Sequence, residues 1–213
     1  MVVLDRFAQV LVAVRDVLML RAPSVVLDDP RSALPVALGV ALLAGLSTMA
    51  GHAVVFALNR IGGLRLVAGM GVGAVYVVLL RALTAAVLAV GLPLVTPGDV
   101  DGVLVAVVFL VAIAPHALGF LVFIPYLGLG LGRLLEVWSL VALVVLLGAA
   151  LGLDRWPAIA VGGGAWFAGQ LLSHLLAHPL AALSSRAWTL TTGHPSFVTV
   201  RDVLSGAPLI PLE

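Results

Sequence analysis

The chain has no cysteine among its 213 residues, no lysine, and charged side chains at only 10% of its positions. Each shortage excludes something. Without cysteine there can be no disulfide, no iron–sulfur cluster and no thiolate metal site. Without lysine, all eleven basic residues are arginine, a bias read as the base composition of a GC-rich gene rather than as chemistry. A net charge of +1 leaves no global field to draw nucleic acid. No P-loop, G-x-G-x-x-G, G-x-S-x-G or paired carboxylate set is present, so the chain is read as non-enzymatic. No internal repeat is visible, which leaves an inverted-repeat transporter without support. A secretory signal is not expected either. Asp5 comes early, Arg15 and Asp16 interrupt the apolar run, and no small-residue cleavage site follows.

What remains is apolar. Hydrophobic residues make up 62% of the chain and the mean hydropathy is +1.24. Such a chain needs lipid as a second solvent, where the backbone must satisfy its own hydrogen bonds. The fold class expected is an all-α integral membrane protein with five transmembrane helices and an interfacial N-terminal amphipathic helix. Five stretches reach the roughly 20 residues that a hydrocarbon core demands: 34–57, 66–91, 103–124, 127–152 and 157–182. Residues 1–33 are read as the interfacial helix and a linker, 34–182 as one five-span domain, and 183–213 as a polar C-terminal tail. In the first helix Asp5, Arg6, Gln9 and Asp16 fall on one narrow face, the pattern of a helix lying along the membrane surface.

Small residues recur at four-residue spacing: Gly69 and Gly73, Gly128 and Gly132, Gly148 and Gly152, Ala165 and Gly169. Such pairs let helix backbones approach closely, and packing within the chain is the first reading, a dimer face the second. With an odd number of spans the ten arginines other than mid-span Arg81 divide five against five between the two faces. The positive-inside rule therefore gives no orientation.

The ionisable residues inside the spans are the candidates for chemistry. Arg81 lies near the middle of the second span, where an arginine costs roughly 2.5–3.5 kcal/mol. It needs a polar partner. Glu136 is the acidic residue well inside a span and is expected to pair with it, with Arg133 competing from one turn away. Carbonyls around Pro115 are the other expected partners. Counting 1.5 Å per residue, His52 falls about 27 Å, His174 about 25 Å and His116 about 20 Å from the face of the N-terminal tail. Glu136 lies near the same level, flanked by Arg133 and His178. Imidazoles and a carboxylate suit zinc or iron, yet no H-E-x-x-H accompanies them. The layer is read as hydrogen-bonding side chains, with a metal or haem site and proton handling as alternatives. No cofactor is expected otherwise, and no tetrahedral metal site.

Two prolines punctuate the third span. Pro115 cannot donate to the helix ladder and predicts a kink. Pro125, followed by Gly128, predicts a tight reversal. Ala114-Pro115, then Ile124-Pro125-Tyr126-Leu127-Gly128, then Trp138 in RLLEVWSLVALVVLLGAALGL and the following DRWPAIAV carry a resemblance. Together with FALNRIGG, Arg81 and the tail segment GAPLIP, they resemble the Ypt-interacting-protein (Yip) domain family, in its cyanobacterial-type form. His178-Pro179 departs from the pattern, which has Arg-Pro there. The resemblance spans residues 34–210. It implies five spans, a cytoplasmic N-terminus and no known reaction. In eukaryotic relatives it implies a scaffold or adaptor that binds small GTPases, a role that no residue here supports.

The function expected is therefore non-catalytic: a membrane-organising scaffold or a subunit of a larger membrane complex. The alternative is a small transporter or a metal- or haem-handling protein using His52, His116, Glu136 and His174. The partners expected are the lipid bilayer and other membrane subunits or a second copy, in a bacterial cytoplasmic or thylakoid-type membrane.

Overall fold

A computed structural model describes residues 2–58, 81, 84–94, 96, 100–124 and 126–192. Among them every regular element is helical. Helix α1 is Val2–Leu18, α2 is Ser24–Asp28 and α3 is Pro30–Leu58. Helix α4, Thr84–Leu94, closes with a 3-10 turn. Helix α5, Gly102–Ala112, continues as a 3-10 segment over Ala114–Phe123. Helices α6, Gly128–Leu151, and α7, Arg155–Thr192, complete the described chain. Among the described residues three stretches are long and apolar enough to cross a membrane: Pro30–Gly51, Gly102–Phe123 and Gly128–Leu151.

Helix α5 lies at the centre. Val105, Val107, Val108, Phe109, Val111 and Ala112 are all buried, as befits a helix that is apolar all round. It starts at Asp101, whose carboxylate accepts the Val103 N–H at 2.8 Å as an N-cap. Its α-helical ladder ends at Ala112, one turn before the residue that cannot donate, Pro115. The kink expected there takes the form of a switch to 3-10 winding. The 3-10 segment runs longer than the three or four residues usual for this geometry. It is held from outside: the Ser47 hydroxyl of α3 donates to the Ala117 carbonyl at 2.7 Å and accepts the Phe120 N–H at 3.0 Å.

Glycines permit that contact. A Cβ on Gly51 would strike the Gly119 carbonyl, and one on Gly119 would strike Thr48. Gly128 faces the Val122 carbonyl in the same way, which closes the α5–α6 hairpin. Gly169 meets Thr84, so α7 and α4 also approach closely. These contacts are within the chain. Gly152, expected as half of a packing pair, has a different use. It ends α6 in the left-handed region at φ 62°, the conformation that favours glycine.

Helix α6 packs on α5, on the 3-10 segment and on α7, while α1 packs on α3, α5 and the 3-10 segment. The expected tail boundary at 183 is not a structural one. Helix α7 runs on to Thr192, because residues 183–192 contain no proline or glycine to stop it. Its 38 residues measure about 57 Å, well beyond a core of about 30 Å. Of the expected second span, residues 66–80 lie outside the described residues, as do Gly69, Gly73, Pro125, most of FALNRIGG and the tail from 193.

Candidate functional site

The polar residues of the membrane layer meet where α4, α5, α6 and α7 converge. Arg81, just ahead of α4, points its guanidinium at His116, and Nη2 donates to the imidazole Nε2 at 3.2 Å. The other ring nitrogen, Nδ1, stands 3.0 Å from the Ser139 hydroxyl of α6. A guanidinium can only donate, so Nε2 carries the lone pair. The neutral ring then holds its proton on Nδ1 and donates it to Ser139. Arg81 thus selects the tautomer, and one imidazole joins three segments.

Glu136 belongs to a second group. Its Oε2 accepts from Arg133 at 3.2 Å and from Gln170 of α7 at 3.3 Å. This corrects the pairing expected for Arg81: the arginine bonds His116, neither Glu136 nor a carbonyl near Pro115. The reason is reach along the kinked span. His116 follows Pro115 directly and opens the 3-10 turn, its N–H bonded to the Ile113 carbonyl, with its ring between Arg81 and Ser139. Glu136 sits nearer the outside, with the Arg133–Glu136 pair 75% and 34% exposed at the two side chains.

Between the two groups lies a cavity of about 70 Å³. Arg81, Thr84, Glu136, Ser139, Trp166 and Gln170 line it with polar atoms. A water molecule claims about 30 Å³ in the liquid, so two or more fit. Arg81 and Glu136 therefore border one cavity without forming an ion pair.

His174 is exposed on α7, one turn beyond Gln170. His52 lies within α3 and His178 within α7, and their side chains lie outside the described residues. Among the described residues no three His, Asp or Glu side chains are grouped to hold a metal ion. Both nitrogens of His116 are already engaged, so a metal there would have to displace Arg81.

Sequence reasoning missed Ser139, Ser47, Thr48, Gln170 as a partner of Glu136, and the Gly51–Gly119 contact. Signals existed for two of these. Ser139 is the one hydroxyl in its span and lies three residues from Glu136. Ser47 and Gly51 form a small pair at four-residue spacing, the same pattern noted elsewhere in the chain.

No family model, curated protein or solved structure matches the chain. The resemblance to the Yip domain family rests on its motif residues alone.

Proposed function

We propose that this chain is a non-catalytic, five-span helical membrane protein that serves as a membrane-organising scaffold or as a subunit of a larger membrane complex. The observation that supports this is the mutual bonding of its intramembrane polar groups. Arg81, His116 and Ser139 form one chain of bonds and Arg133, Glu136 and Gln170 another. Groups engaged with each other across helices stabilise one packing of the bundle. They are poorly placed to turn over a substrate.

The outer surface fits the same reading. Leu38, Leu42 and Leu46 form an exposed stripe on α3, and Phe167 and Leu171 continue one on α7. These faces suit lipid tails or the helices of a partner, since lipid and leucine are equally apolar. The Yip-type motifs, and a bacterial cytoplasmic or thylakoid-type membrane, belong to the same proposal.

The 70 Å³ cavity beside Arg81 and Glu136 favours one rival, a small transporter that moves a proton or small solute past them. Purification from native membranes after mild cross-linking separates the two. A constant membrane partner or a dimer is expected, with no solute or proton flux in proteoliposomes. Flux by the purified chain, lost in Arg81→Gln, would replace the scaffold reading with the transporter.

A further inference from the structure

Helix α1 presents three faces. At roughly 100° per residue, Val10, Ala13, Val14 and Val17 form one, and all four are buried against the bundle. Asp5, Gln9 and Asp16 form a second, with local bonds to it from Arg6 to Gln9 at 3.4 Å and from Arg15 to Asp16 at 2.8 Å. Phe7 and Leu11 form a third, apolar and exposed.

Its depth conflicts with its polarity. Val10 packs so closely on Gly39 that a Cβ there would overlap its methyl group. Gly39 lies about 13 Å along the span that begins at Pro30. Helix α1 also touches the 3-10 segment, which begins about 18 Å along the span Gly102–Phe123. In a hydrocarbon core of about 30 Å, both positions are near the middle. Charged side chains at that depth face protein or water rather than lipid.

The polar face of α1 has such a surrounding. It borders a cavity of about 390 Å³, room for roughly a dozen waters. Gln9 and Asp16 line it from α1, and Ser24, Asp28 and Ser32 from α2 and the start of α3, interleaved with five apolar residues. Each polar side chain among them hydrogen-bonds readily to water.

We propose that this cavity is a water-filled vestibule entering the membrane domain from the face that carries Ser24 and Asp28. Helix α1 is its re-entrant wall, polar face to water and Phe7 and Leu11 to lipid. This sets α1 deeper than the surface position that its amphipathic pattern suggests. It rests on the reading of α3 and α5 as spans.

The absence of cysteine makes the test direct, because each variant carries a single reporter thiol. Gln9→Cys, Ser32→Cys, Leu11→Cys and Leu42→Cys are made in the full chain and placed in sealed vesicles. A membrane-impermeant methanethiosulfonate is added to one side at a time, with detergent-opened samples as the measure of total thiol. Gln9→Cys and Ser32→Cys are expected to label fully from one and the same side. Leu11→Cys and Leu42→Cys are expected to stay unlabelled until detergent is added. A Gln9→Cys thiol that reacts only in detergent would overturn the vestibule. Labelling of Leu11→Cys as fast as Gln9→Cys would return α1 to the surface. Labelling of Leu42→Cys in sealed vesicles would strike at the spanning of α3 instead.

Discussion

The most consequential residue is His116, because it gives a partly buried arginine its acceptor. An arginine inside a span is tolerated when something polar receives its protons, and here that is one lone pair on Nε2. Removing the imidazole takes that acceptor away, and His116→Ala is expected to cost about 2–3 kcal/mol. Ser139→Ala removes the acceptor of a neutral N–H and should cost about 1 kcal/mol. His116→Gln keeps a carbonyl acceptor and should recover part of the loss. Glu136→Ala should cost less, about 1 kcal/mol, since Arg133, 75% exposed and five residues into α6, can extend its guanidinium to the interface instead. Thermal unfolding in detergent micelles ranks the four. If Glu136→Ala proves more damaging than His116→Ala, the assignment of Arg81 to His116 is wrong.

At the scale of elements, the hinge between α5 and its 3-10 continuation is held by small residues. Gly119 sits against Thr48 backbone and hydroxyl together, so no side-chain rotation can make room. Gly119→Ala is therefore expected to destabilise by about 1–3 kcal/mol through overpacking. Gly164 of α7 has open space where a Cβ would go. There the same substitution removes only backbone freedom, and Gly164→Ala should stabilise by up to about 1 kcal/mol. Opposite signs in one unfolding assay would confirm that close approach, not glycine content, decides these positions. The break itself was legible, because Pro115 announces it in the sequence. Its continuation as 3-10 was not, since that depends on Ser47 reaching across from a segment seventy residues away. Span four was legible to within one residue at each end, because a long, mostly apolar run ends in Leu-Gly. The end of α7 was not, because apolarity stops near 182 while helix propensity continues to Gly193.

For the whole molecule, apolar content and span length sufficed to indicate a helical membrane protein, and three spanning stretches are present among the described residues. Depth along the spans was also countable, but lateral neighbours were not. Helix rise placed His116 and Glu136 in one layer without saying which of them faced Arg81, as that depends on rotation of each helix about its axis. The number of crossings remains a separate quantity with its own test. Asp29 precedes α3 and Asp154 precedes α7, with Tyr126 in the hairpin between α5 and α6, 97% exposed. If α3, the second span, α5 and α6 all cross, Asp29 and Asp154 lie on one side and Tyr126 on the other. If the second span turns back without crossing, Asp29 and Asp154 fall on opposite sides. Single-cysteine variants Asp29→Cys, Tyr126→Cys and Asp154→Cys, labelled from each side of sealed vesicles, decide between these arrangements. The five-span reading expects Asp29→Cys and Asp154→Cys to react together and Tyr126→Cys to react from the other side. Labelling of Asp29→Cys and Asp154→Cys from different sides would reduce the spans to an even number and place both chain ends on one face.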